Sequence, residues 1–233
     1  DDTKIVKLLQ KPPHAIYITL YGGSNKTYKE LCGVESGFSI VYNNIKRLLD
    51  GGINVMLQML LVNQNIDDYE EILNLSKKLN VHLRVNYELF PPIRDSDTNL
   101  DDVEHSRLNI DKVPRSLLSE SQVFKSNYAN NTFFKECNAL KNNFFITAEG
   151  NLQICQRASY PQIHIHDNID YSVNSLEKEL NRISKITKCI DCTYRSYCNL
   201  CLGEIYINEN DELSPVKYIC ENAKIRKYNL QNQ

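Results

Sequence analysis

The cysteines constrain this chain more than anything else in it. Seven of the eight lie between Cys137 and Cys220, in the order Cys137-x12-Gly150-x4-Cys155, then Cys189-x2-Cys192-x5-Cys198-x2-Cys201, then Cys220. A structural zinc site uses four thiolates, and so does a cubane iron–sulfur cluster, so seven clustered thiols count toward two metal centres. One centre would be complete and the other short of one ligand. A C-x2-C turn lets two sulfurs converge while the backbone N–H groups between them point at the metal. Such pairs read as metal ligands rather than as halves of disulfides. The start, Asp1-Asp2-Thr3-Lys4, has no signal-peptide pattern, so a reducing cytoplasmic setting is expected, in which thiols stay available for metal.

The remaining composition excludes several classes of partner. Of 233 residues, 42% are hydrophobic, enough apolar material for one or two packed cores. The net charge of -2 and a pI near 6.2 leave no basic field to draw the chain onto nucleic acid or an anionic membrane. The longest apolar run, Val55 to Val62, is broken by Gln58 and falls far short of the roughly 20 residues a membrane span needs. A peptide or a small molecule is the expected partner. No Ser/His/Asp or Cys/His triad, phosphate loop or H-E-x-x-H motif is present.

Residues 1–94 alternate between two periodicities. Ala15–Leu20, Asn54–Val62 and Val81–Leu89 read as strands, the second as one buried on both faces. Thr3–Gln10, Ser39–Leu49 and Ile66–Leu79 read as helices, with Gly51-Gly52 stopping the second and acidic-to-basic polarity along the third. Alternating strands and helices imply right-handed crossovers and a parallel sheet. A complete (β/α)8 barrel takes roughly 250 residues, so this stretch is expected to be part of a barrel. A helix directly before the first strand further leads us to expect that the chain begins inside a domain. Residues 95–130 read as a linker with one helix, and 131–233 as a small cysteine-rich α+β domain. Within that domain, Phe144 to Ile154 is expected to form a hairpin turning at Glu149-Gly150-Asn151, and Ser175–Ile186 a helix with Leu176, Leu180, Ile183 and Ile186 on one face.

These residues are recognisable. Ile18-Thr19-Leu20-Tyr21-Gly22, Leu31-Cys32-Gly33-Val34, Gly37-Phe38, Leu48-Leu49-Asp50-Gly51-Gly52-Ile53 and Asn65-Ile66-Asp67-Asp68 resemble the second half of a radical SAM barrel. The cysteine spacing resembles the SPASM extension that follows the barrel in anaerobic sulfatase-maturating enzymes and in many peptide-modifying enzymes. Its usual pattern is C-x9-15-G-x4-C, a gap, C-x2-C-x5-C-x3-C, a gap, and a final C. This chain departs from it at Cys198-x2-Cys201, one residue short of the usual x3. It also has no C-x3-C-x2-C motif, whose cluster in this family cleaves S-adenosylmethionine to a hydrogen-abstracting radical. That chemistry is therefore expected of a longer parent enzyme and not of the chain as given.

The resemblance implies a division of the thiols. Cys189, Cys192, Cys198 and Cys220 would hold one auxiliary [4Fe–4S] cluster, and Cys137, Cys155 and Cys201 a second cluster with an open iron position. His164, His166, Asp167 and Asp191 are candidates to fill that position, with ordinary exposed loop residues as the plain alternative. Cys32 stands outside the pattern and reads as a small buried apolar residue. Barrel ligands bind at the C-terminal strand ends. There Thr19 matches a serine or threonine that contacts S-adenosylmethionine in the family, and Asn63 sits comparably after the next strand. Arg84 and Glu88 share one face of the third strand by alternation. The implied function is the C-terminal portion of a radical SAM maturase acting on a peptide or protein, with a flavodoxin or ferredoxin as electron donor. The alternative from another class is a zinc-binding interaction module with one four-cysteine site, and zinc is also a possible substitute in the cluster sites.

Overall fold

The computed structural model describes residues 2–90, 99–120, 144–165, 168–186, 191–198 and 217–231. Cys137, Cys189, Cys201, His166 and Asp167, and the side chains of Ile183 and Ile186, lie outside the described residues. The chain divides into two compact units, one holding residues 2–90 and 99–117 and the other holding residues 118–120 and 144 onward.

The first unit opens with α1 (Asp2–Gln10), β1 (Ile16–Thr19), α2 (Asn25–Cys32), α3 (Gly37–Asp50), β2 (Val55–Leu60), α4 (Tyr69–Leu79) and β3 (Leu83–Asn86). The three strands form a parallel sheet in the order β1-β2-β3. Caps explain where the helices start and stop. Ser24 accepts the Thr27 N–H at the start of α2, and Gly33 closes that helix in the left-handed region at φ 69°. Asn80, at φ 51°, does the same for α4, whose Glu70 and Glu71 at the start and Lys77 and Lys78 at the end complement its dipole.

β2 corrects one expectation. Val55, Leu57 and Met59 are buried, whereas Met56, Gln58 and Leu60 are only half-buried. The strand therefore has one core face, not two. α3 packs on β2 and contributes Ile45 and Leu48 to the core, so the helices cover one side of the sheet and the alternate residues face the other. The sequence pattern does not predict α2, because Asn25-Lys26-Thr27-Tyr28 offers almost no apolar stripe. Its buried side chains are Thr27 and Tyr28. The segment expected to be a linker with one helix holds α5 (Leu100–Ser106), a 3-10 turn at Ile110–Lys112 and α6 (Arg115–Glu120).

The second unit holds β4 (Phe145–Ile146), β5 (Asn151–Cys155), β6 (Ala158–His164), α7 (Ile169–Ile186), a 3-10 turn at Arg195–Tyr197 and α8 (Lys217–Gln231). β4, β5 and β6 form an antiparallel sheet in that order. The expected hairpin is present. Thr147 N–H donates to Asn151 O at 2.9 Å across the turn, and Gly150 takes φ +80°, which a side chain would strain. β6 is hidden from a sequence reading by Pro161, which interrupts it; an edge strand tolerates proline because its outer N–H positions need no partner. α7 lays Leu176 into a core with Leu152, Ile154 and Ala158. α8 escapes a periodicity search because its buried stripe, Ile219, Asn222, Ala223 and Arg226, is half polar.

Candidate functional site

Register brings together three polar residues that sequence spacing leaves far apart. Thr19 pairs with Gln58, and Gln58 with Arg84, in one row across β1, β2 and β3. All three alternate away from the core-side set Ile18, Leu57 and Leu83 and so share the less covered sheet face. Gln58 Nε2 donates to Thr19 Oγ1 at 2.8 Å. Arg84 is exposed and makes no ion pair among the described residues. Thus the row ends in an exposed guanidinium. Tyr17, 59% exposed, lies two residues before Thr19 on the same face. In the sequence Gln58 is only a break in an apolar run, and the signal that it matters is its register partner on another strand.

The loops that follow these strands are tightly held. Asn65 is buried, donates from Nδ2 to Tyr21 O at 3.0 Å and Leu60 O at 2.9 Å, and accepts the Val62 N–H at 2.8 Å. One amide thereby ties the ends of β1 and β2 together. Gly23 N–H donates to Asp68 Oδ2 at 2.7 Å. At Gly22 an added Cβ would come within 2.5 Å of the Thr27 side chain and 2.7 Å of Asp68 Oδ2, so glycine is required there by space. Asn63 is exposed, and its Nδ2 donates to the carbonyls of His105 at 2.9 Å and Arg107 at 2.8 Å. Both amide hydrogens therefore fasten the C-terminal end of α5 to the rim of the sheet. Beside the loop, Tyr28 Oη accepts the Tyr21 N–H at 3.4 Å, and burial pushes the Tyr28 phenol pKa up.

In the second unit, Cys155 ends β5 opposite Ala158, next to a register shift, and is half-buried against the Leu152, Ile154, Ala158 and Leu176 core. Cys192 is exposed, and Cys198 and Cys220 are half-buried. Cys192 O accepts the Arg195 N–H at 3.1 Å and Cys198 N–H donates to Arg195 O at 3.1 Å, so backbone bonds curl this loop. The loop's 3-10 turn packs on α8, which carries Cys220. As a donor set these thiols fit a thiolate-ligated centre in softness and in the C-x2-C spacing. Among the described residues, no three His, Cys, Asp or Glu side chains form a ligand group, and Cys189 is not among those residues.

Two further residues are placed by the structure. His164 pairs with Asn151 at the far end of the β5–β6 hairpin from Cys155, its Nδ1 lying 3.3 Å from Asn151 Oδ1. Four strand residues span about 13 Å, so His164 and Cys155 stand at opposite ends of this strand pair. Cys32 is exposed, not buried, because it is the last residue of α2, where the chain through Ser36 is exposed. Asp191 is exposed beside Cys192, and Glu88 follows β3 and donates its N–H to Asn86 Oδ1 at 3.2 Å.

No family model and no curated protein matches the chain. Solved structures do. Native anSMEcpe with bound AdoMet aligns with 100% of this chain and 70% of its own length, at 13% identity and a TM-score of 0.61. Native anSMEcpe with bound AdoMet and Cp18Cys peptide covers 100% of this chain and 72% of its own, at 12% identity and a TM-score of 0.59. The form with Kp18Cys peptide gives 12% identity over 100% and 71%, with a TM-score of 0.57. At such low identity the likeness establishes the fold alone, a mixed α/β chain with a parallel three-stranded sheet and an antiparallel one, similar to that of anSMEcpe.

Proposed function

We propose that this chain, folded like a radical SAM enzyme, acts as the cofactor-facing sheet and the auxiliary metal-binding portion of an enzyme that modifies a peptide or protein side chain. The observation that carries this reading is the Thr19–Gln58–Arg84 row on the less covered face of a parallel sheet, in which Thr19 ends its strand, the place where α/β folds bind ligands. Thr19 Oγ1, oriented by Gln58, is the proposed contact to S-adenosylmethionine. Asn63 contributes by holding the rim formed with α5. S-adenosylmethionine supplies the hydrogen-abstracting chemistry in enzymes of this fold, while this chain's part is to bind, orient and exclude water. The substrate class is proposed from the peptide-bound forms of anSMEcpe.

The thiols follow the division implied by the cysteine spacing. Cys189, Cys192, Cys198 and Cys220 are the ligands proposed for a closed [4Fe–4S] centre, and Cys137, Cys155 and Cys201 for an open one, with a small electron-transfer protein such as a flavodoxin or ferredoxin as donor. The open iron position can take a substrate atom or a side chain, with His164, His166, Asp167 and Asp191 as the candidates.

Anaerobic reconstitution with iron and sulfide tests the reading. Brown protein with about eight irons per chain is expected for two cubanes. Colourless protein that instead binds one zinc under the same anaerobic conditions would replace it with the four-cysteine zinc module. Direct S-adenosylmethionine binding measured by calorimetry on the full enzyme should weaken on Thr19→Val.

A further inference from the structure

Beside the cysteine loop stands a residue that the cysteine pattern does not reveal. Arg226 on α8 is 1% exposed, which is rare for a guanidinium, and its Nη1 donates to Tyr197 O, the carbonyl immediately before Cys198. One residue further along the same helix, Lys227 Nζ lies 5.1 Å from the centre of the Tyr194 ring. Two consecutive side chains of α8 therefore hold both ends of the short Tyr194–Tyr197 segment, whose own bonds include Tyr197 N–H to Tyr194 O at 2.9 Å. This segment lies between Cys192 and Cys198, and α8 itself carries Cys220.

We infer that Arg226 fixes the Cys192–Cys198 loop on the Cys220 helix before metal arrives, so that the segment carrying two proposed ligands of the closed centre is already held against the helix carrying a third. The inference rests on the thiol assignment made above. Its physical basis is preorganisation. A loop already ordered loses less conformational freedom when its thiolates close on a metal, and supporting residues outside the ligand set typically change metal affinity by about 10- to 100-fold. An arginine suits the place because its planar fork can bond a carbonyl while other N–H groups reach further partners, whereas lysine offers one compact ammonium.

Cobalt(II) titration of reduced, anaerobic protein tests this, read by the thiolate-to-cobalt charge-transfer band. A Cys155→Ser background confines the signal to the closed centre. Arg226→Met should weaken cobalt binding by about tenfold or more while the band at saturation keeps its intensity, and Arg226→Lys should recover part of the loss. Leu176→Ala, which opens the sheet–α7 core of the same unit, supplies a comparably destabilised control and should keep the unmodified affinity. Unchanged affinity in Arg226→Met, or an equal loss in Leu176→Ala, would overturn the inference. Should Arg226→Met fail to fold, amide exchange at 194–198 in the metal-free unmodified protein and in Arg226→Lys decides the point. Protection in the former that falls in the latter is expected, and no protection in the metal-free protein overturns it. Absence of any thiolate–cobalt band in the unmodified protein would instead remove the thiol assignment beneath it.

Discussion

Gln58 and Thr19, thirty-nine residues apart, meet at 2.8 Å through an amide-to-hydroxyl hydrogen bond that joins two parallel strands on their less covered face. The contact orients the Thr19 hydroxyl toward whatever occupies that face. Gln58→Ala should therefore cost about 1 kcal/mol of stability, the usual net worth of one such bond, and also weaken S-adenosylmethionine binding in the full enzyme. Gln58→Glu restores an acceptor without the donor, and should recover less affinity than stability. Denaturant unfolding and calorimetric binding on the same variants check both.

Asn65 holds more than Gln58 does. Its buried amide makes three backbone bonds at the ends of β1 and β2, so Asn65→Ala strands three partners in the interior. We expect a loss of about 2–3 kcal/mol, read from the shift in denaturant midpoint. Asn65→Asp should lose nearly as much, because it keeps the acceptor for Val62 N–H but brings a charge into a buried place.

Gly22→Ala should be destabilising through overlap rather than backbone conformation. Its Cβ would press on Thr27 and Asp68, and Asp68 is the acceptor for Gly23 N–H. The expected cost is about 1–3 kcal/mol, and pairing Gly22→Ala with Thr27→Ser should recover part of it by removing a methyl at the point of collision.

A pH effect is expected in the second unit. Glu179 accepts from Arg182 at 2.6 Å and from Tyr160 Oη at 2.7 Å, and these bonds, Arg182 first, hold its carboxyl below the ordinary value. The same carboxylate raises the Tyr160 phenol pKa. A depressed carboxylate stabilises the fold above its unfolded pKa, about 4.3, and loses that contribution as pH falls through the folded value. Comparing Glu179→Gln with the unmodified protein, the stability gap should be constant at neutral pH, narrow below about pH 4 and shrink in high salt. A gap independent of pH would show that the contact is steric.

Cys32 and Cys198 should part company in thiol chemistry. Cys32 is exposed in the first unit and lies outside the cysteine pattern, so Cys32→Ser should leave iron content unchanged. Cys198→Ser should lose about four irons per chain after reconstitution, and Cys155→Ser should lose the other set. Iron analysis per chain, with sulfide measured in parallel, distinguishes these outcomes.

Local elements are legible from sequence wherever a period runs uninterrupted. β1, β2, α3, α4 and the hairpin at Gly150 all carry repeating apolar patterns or turn residues that act over a few positions. α2, β6 and α8 are not legible because their buried faces are polar or interrupted: Thr27 and Tyr28, Pro161, and Asn222 with Arg226.

The sequence by itself determined the donor chemistry: which residues carry thiols and how they are spaced. Tertiary structure alone decided which residues stand beside one another. Thr19, Gln58 and Arg84 share a row only because parallel register aligns three separate strands. His164 is carried away from Cys155 because an antiparallel pair runs its ends apart. Arg226 meets Tyr197 only when α8 packs on the cysteine loop. Spacing along a chain encodes contacts within a turn or two, whereas contacts across strands and helices are fixed by register and packing, which no local pattern records.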